Sequence, residues 1–299
     1  MEINTIRSMY GSYFKQLAGN SVAAAKIDAS NVYQPANEKN RVLIDKLVAD
    51  NILPASHIGA KENFLDFYRQ VKEGKSGLIL MEHYANTDLP AIMYMLAHDG
   101  DPELAELSKN IVAIAGMKLN EDDSIVRAFA ESFTRVVIYP TRSLEKNEQS
   151  ALSGEEAKEE EMKARKINLA AMKAMDECKR RGEVILVFPS GTRYRPGHPE
   201  TKRGLREIDS YLRLFDIAIL VSINGSILQI QEGKEDMLSD IVVQDKLVIT
   251  ASPVIPCKQF RKDYLASLPQ DEADPKQKMI DHVMEILEKQ HDEVEKTRL

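Results

Sequence analysis

Tryptophan is absent from this 299-residue chain, and cysteine occurs only at Cys178 and Cys257. Two cysteines so placed suggest neither a zinc site nor a disulfide framework, and a reducing compartment is the simple reading. Long apolar runs are missing as well. The longest candidate, Leu78 to Ala97, is broken by Glu82, His83 and Asp88, whereas roughly 20 apolar residues in a row are needed to span a bilayer. The first residues lack a basic segment followed by an apolar core, so no signal peptide is expected. Positive charge is also short. Lys and Arg number 40 against 47 Asp and Glu, a net charge of −7. That balance excludes bulk attraction to nucleic acid or to an anionic membrane, and any anion site must be a local basic cluster. The expectation is a cytoplasmic protein, at most peripheral to a membrane, with no nucleic-acid partner.

What is present reads as helices first and strands later. Met9, Tyr10, Tyr13, Phe14 and Leu17 fall at helical spacings, as do Val42, Leu43, Leu47 and Val48. A third stripe, Phe64, Leu65, Phe67, Tyr68 and Val71, ends at Gly74. Residues 1–75 are therefore expected as a small helical domain. From Ser76 onward, apolar strands alternate with helical stretches. Strands are expected at 78–81, 111–115, 135–139, 183–188, 217–223 and 246–251. Helices are expected at 89–97, 101–109, 123–133, 155–181 and 205–214, with a terminal helix opening at Asp274-Pro275. Such alternation argues for an α/β domain over 76–299, a mixed central sheet flanked by helices. The acidic connection 229–240 has no assignable structure.

The stretch Gly77-Leu-Ile-Leu-Met-Glu-His-Tyr-Ala-Asn-Thr-Asp-Leu-Pro90 changes from apolar strand to polar corner within two residues. His83 should sit at the carboxyl end of a strand and Asp88 at the start of a helix. A tight corner can fold the Asp side chain back onto the imidazole. A carboxylate on one ring nitrogen fixes the tautomer and leaves the other free to take a proton from a hydroxyl. Two plainer readings compete: Asp88 as an N-cap only, and His83 as a satisfied core or loop histidine.

A second stretch, Phe188 to Arg206, supplies Arg193, Arg195, Lys202, Arg203 and Arg206 in an otherwise acidic chain. The arginine fork suits phosphate oxygens. Pro189, Gly191, Pro196, Gly197 and Pro199 rule out a regular helix or strand and suggest a shaped loop at a strand end, where ligands gather in α/β sheets. Ser190 and Gly191 are small enough for backbone N–H groups to approach an oxyanion. The competing reading is a solvated basic loop paired with acidic side chains. Taken together, one stretch offers a base for a hydroxyl and the other an anchor for a phosphate.

His83-Tyr-Ala-Asn-Thr-Asp88 resembles the His-four-residues-Asp signature of the glycerolipid acyltransferases. Phe188-Pro-Ser-Gly-Thr-Arg-Tyr-Arg195 is similar to that superfamily's second signature. Lysophosphatidate enzymes carry Pro-Glu-Gly-Thr-Arg-Ser there. With Ser190 in place of the Glu and Arg195 two after Arg193, this chain looks more like the soluble, plastid-type glycerol-3-phosphate 1-acyltransferases, which also begin with a small helical domain. The resemblance implies the first step of phospholipid synthesis. His83, oriented by Asp88, would deprotonate the 1-hydroxyl of glycerol 3-phosphate for attack on an acyl thioester. Arg193 and Arg195 would hold the phosphate. The plastid-type Lys-His pair falls at Arg142-Ser143, so Arg142 can replace the lysine while the histidine is missing. No metal or bound cofactor is implied. Acyl carrier protein or coenzyme A carries the acyl group as co-substrate. Two alternatives stand beside this reading: acylation of lysophosphatidate at the 2-position, or a non-catalytic phospholipid- or phosphate-binding relative.

Overall fold

Short apolar runs bounded by polar turns form the strands of this chain, and longer periodic stretches form its helices. The computed structural model describes residues 4–121, 123–140, 154–231, 233–234 and 236–298. In chain order the elements are α1 (Ile6–Asn20), β1 (Tyr33–Gln34), α2 (Glu38–Asn51), β2 (His57–Gly59) and α3 (Lys61–Lys72). There follow β3 (Gly77–Met81), α4 (Asp88–His98), α5 (Pro102–Asn110), β4 (Ile111–Gly116), α6 (Lys118–Glu121), α7 (Ser124–Ala130) and β5 (Arg135–Ile138). Next come α8 (Gly154–Arg180), β6 (Val184–Val187), α9 (Ile208–Leu214), β7 (Ile217–Asn224), β8 (Leu228–Gln229) and β9 (Ile241–Val242). β10 (Val248–Ala251), β11 (Ile255–Pro256), α10 (Cys257–Ser267) and α11 (Pro275–Arg298) complete the order. This is the mixed α/β architecture expected, with helices flanking a central sheet.

The described residues form two units, one from 1–10, 45–111 and 182–299, the other from 11–44 and 112–181. The stretch 1–75 is shared between them, and it holds β1 and β2 as well as its three helices.

In the first unit β3 lies parallel to both β6 and β7. β10 runs antiparallel to β7 and parallel to β2, and β11 pairs with the start of β7. Every residue of β3, β6 and β7 is buried, as strands covered on both faces require. α3 packs on β3, β7 and β10, while α11 packs on β7 and β10. The stripe Phe64, Leu65, Phe67, Tyr68 and Val71 is wholly buried, as its spacing predicts. α3 comes so close to β3 that a Cβ on Gly77 would lie 2.6 Å from Val71 Cγ2. This packing fixes the direction in which β3 delivers the residues after Met81.

In the second unit β5 pairs in parallel with β4 and antiparallel with β1. α8 buries Ala164, Ile167, Ala171, Ala174, Met175 and Cys178, and α8 packs on β5. Its charged residues Lys163, Lys166 and Lys173 are exposed.

Some expectations shift. α7 stops at Ala130, and Asp123 caps it by accepting from the Ile125 and Val126 N–H groups. Val42 is 67% exposed although its spacing placed it on the buried stripe; Ile44 takes the buried position instead. α10 was not anticipated, because only Cys257 along it is buried and no apolar stripe marks it. Among the described residues, no helix is long and apolar enough to cross a membrane.

Candidate active site

β3 ends at Met81, and the next five residues turn the chain into α4. Asp88 is the first residue of that helix, and it is not the cap. Thr87 holds the cap position, without a side-chain cap bond. The Asp88 carboxylate instead turns back over the corner. Its Oδ2 accepts from His83 Nδ1 at 2.9 Å, from the Tyr84 N–H, and from the Ala85 N–H at 2.8 Å. The plain N-cap reading of Asp88 therefore fails on geometry. An ionised carboxylate can only accept, so Nδ1 carries the proton of the neutral ring and Nε2 is left as the acceptor. The Asp88 side chain is 2% exposed and that of His83 18%. The carboxylate is sealed in while the ring still reaches the surface. Phe188 stacks on the imidazole, with centroids 4.0 Å apart and planes 15° from parallel.

Phe188 begins the second stretch. The Tyr194 N–H donates to the His83 carbonyl at 2.8 Å, so the two stretches meet through the backbone. The loop turns at Gly191, where φ is +63°. A side chain there would be strained by that dihedral, and a Cβ would lie 2.4 Å from Leu205 Cδ1. The Gly191 N–H donates to the Phe188 carbonyl at 2.9 Å. Ser190 is buried, and its hydroxyl donates to the Thr192 carbonyl at 2.7 Å. Both groups are thus engaged within the loop.

Arg193 points its Nη1 at Asp240 Oδ2, 2.8 Å away, and Asn86 Nδ2 donates to the same oxygen at 3.2 Å. Asp240 links the His83 corner to the arginine loop. Burial pushes its carboxyl above the ordinary range, and Arg193 and Asn86 only partly offset this. Nη1 is one part of a fork with five N–H donors. Arg195 is exposed; its backbone N–H donates to Thr201 Oγ1. Arg142 lies outside the described residues. A small pocket opens beside the imidazole, lined by Glu82, His83, Tyr84, Ser190, Tyr194, Lys202 and Met284. The structure therefore brings Ser190 and Lys202 to His83, whereas Arg193 is paired with Asp240 and does not line this pocket.

Several of these residues carried no motif signal. Asp240 ends the connection that could not be assigned, and His291 stands 209 residues from its partner, Glu82. Burial alone would lower the His291 imidazole. The Glu82 hydrogen bond and charge, with Glu295, carry it above its ordinary value. A group raised on folding contributes stability that is complete below its unfolded pKa of about 6.5 and is lost as pH rises through the folded value. Urea unfolding of wild type and His291→Asn should therefore show the largest stability difference near pH 6 and a smaller one at pH 8. Equal differences at both values would mean that folding does not raise the ring's pKa, and a larger difference at pH 8 would mean that the ring folds uncharged.

A family model described as Acyltransferase matches residues 64–222, more than half of the chain. The chain belongs to the acyltransferase family. The matched span contains His83, Asp88 and the whole loop from Phe188 to Arg206, and it ends before Asp240 and His291. Among solved structures, the acyltransferase chain is similar to the 1-acyl-sn-glycerophosphate (LPA) acyltransferase, PlsC, from Thermotoga maritima. The two share 13% identity at a TM-score of 0.43, covering 95% of this chain and 88% of that one. No curated protein matches the chain.

Proposed function

We propose that this acyltransferase is a glycerolipid enzyme that moves a fatty acyl group from an acyl carrier protein or coenzyme A thioester to the 1-hydroxyl of sn-glycerol 3-phosphate. The observation that carries this reading is the His83–Asp88 contact at 2.9 Å, beside a pocket that Lys202 also lines. Nε2 of His83 takes the proton of the hydroxyl as its oxygen attacks the thioester carbonyl. Asp88 stabilises the imidazolium that results. The tetrahedral intermediate collapses by breaking the carbon–sulfur bond, and the imidazolium returns the proton to the leaving thiolate. No metal or bound cofactor enters these steps. Lys202, Arg195 and the donors of Arg193 other than the one on Asp240 supply positive charge for the acceptor's phosphate. Arg142 belongs to the same expectation from sequence.

The purified protein, given acyl thioester and glycerol 3-phosphate, should form 1-acylglycerol 3-phosphate. Product from lysophosphatidate alone would move the assignment to 2-acylation, the alternative that Ser143 raises by standing where the plastid-type histidine is found. Arg195→Ala should raise the acceptor's KM about tenfold or more, the loss of one charge-assisted hydrogen bond. Thermal stability should not change, since the side chain is exposed. An unchanged KM would remove Arg195 from the phosphate site.

A further inference from the structure

The residue before His83 is a buried carboxylate, Glu82, 4% exposed. Three donors hold it. Its Oε1 accepts from the Tyr84 hydroxyl at 3.0 Å. Its Oε2 accepts from His291 Nδ1 at 2.9 Å and from the Ile223 N–H at 3.2 Å. His291 is itself anchored, because Asn224 Nδ2 donates to its carbonyl at 3.0 Å. Tyr84 connects this cluster to the reactive pair. Its backbone N–H donates to Asp88 Oδ2, while its hydroxyl donates to Glu82. Its ring lies 5.2 Å from that of His291 and meets Tyr194 edge-on at 6.0 Å. None of these groups is needed to move the proton. A buried carboxylate and a half-buried imidazole are nevertheless expensive to desolvate, and a hydrogen-bonded polar cluster specifies one arrangement where apolar packing would allow several.

We propose that Glu82 and His291 act as positioning residues, a second carboxylate–imidazole pair that holds the corner 82–88 so that His83 stays aligned with Asp88. Asp88 fastens the corner from the helix side. Glu82 fastens it from the sheet side, through Tyr84 and through α11. Facing His291 are Glu82 from the end of β3, Glu295 on its own helix and Lys202 from the loop. With the Glu82 tether cut, the Tyr84 hydroxyl loses its fixed acceptor, and the backbone of the corner, which carries the N–H that Asp88 accepts, is held from the helix side alone. The proposal rests on His83 being the base.

The test uses His291→Leu, which removes the donor, His291→Asn, whose amide places a donor near the Nδ1 position, and Tyr84→Phe, which removes one oxygen. Misalignment on the order of 1 Å lowers the chemical step by about 10²-fold. His291→Leu should therefore lower kcat by about tenfold to a hundredfold, with the acceptor's KM within about twofold. His291→Asn should restore most of the loss, and Tyr84→Phe should show a drop of about tenfold. A readout independent of turnover is the downfield proton resonance of the His83–Asp88 hydrogen bond. It should broaden or vanish in His291→Leu and return in His291→Asn. If kcat and the resonance both survive His291→Leu, or if only KM rises, the positioning role is overturned. Should His291→Leu fail to fold, Tyr84→Phe decides by the same two readouts. If His83→Ala keeps its turnover, the assignment of the base has failed, and the resonance still decides whether the cluster orders the corner.

Discussion

Replacing His83 with alanine is expected to lower turnover by about 10²–10⁴-fold, the range that a positioned general base contributes. The imidazole has its Nδ1 committed to a carboxylate and its edge at the pocket. No other ring among the described residues combines these two features, since His291 does not line the pocket. The variant should still fold, because the ring lies at the edge of the interior and reaches the surface. Asp88 would keep its two backbone donors from Tyr84 and Ala85. Affinity for a phosphorylated acceptor should persist, since Lys202 and the arginine loop are untouched. Equilibrium binding of glycerol 3-phosphate together with single-turnover acyl transfer separates the two effects. Turnover within a few-fold of wild type would end the general-base assignment, whereas binding of glycerol 3-phosphate with no acyl transfer even in the wild type would mark a non-catalytic relative.

The second large effect concerns stability. Arg193→Ala should destabilise the fold by about 3 kcal/mol, because it leaves the buried Asp240 carboxylate with Asn86 alone. Asp240 is already held above its ordinary range by desolvation, and loss of the guanidinium strengthens that trend. A carboxyl raised in the folded state is least costly when protonated, so the penalty should shrink as pH falls. The double variant Arg193→Met with Asp240→Leu should recover much of the loss, because neither charge is then stranded. Denaturant unfolding at pH 5 and pH 7.5 measures both points. A penalty that does not change with pH, or no penalty, would mean that Asp240 is not held as a buried anion. If Arg193→Ala also raises the acceptor's KM, the remaining donors of its fork reach the substrate.

These two expectations differ in how much of their basis could be read from the residues alone. The corner at His83 was legible. Leu78 to Met81 is apolar enough to be a buried strand, and the helix that follows announces itself through Ala91 to Leu96. The side chain of Asp88 has only a short distance to return. The loop after Phe188 was legible for a related reason: its prolines and glycines leave it no regular structure, and its arginines have no apolar stripe to join. The role of Arg193 was not legible. Asp240 lies 47 residues beyond it, at the end of a polar connection with no periodicity, and the choice between a substrate phosphate and an internal carboxylate depends on what stands opposite the guanidinium. The short strands β1, β2, β8, β9 and β11, each of two or three residues, were hidden because a two-residue pattern is not a period.

By itself the sequence determined the order of the longer strands and helices, the apolar interior of β3, β6 and β7, and that His83 and Asp88 stand close enough along the chain to meet. These depend on local periodicity and on separations of a few residues, which the covalent chain enforces. Tertiary structure alone decided that Lys202 joins His83 at the pocket, that Arg193 is held by Asp240, and that Glu82 meets His291 across 209 residues. Hydrogen bonds between groups so far apart in the chain are set by how helices and strands stack. A sequence records the donors and acceptors, but not which of them the packing will bring within 3 Å.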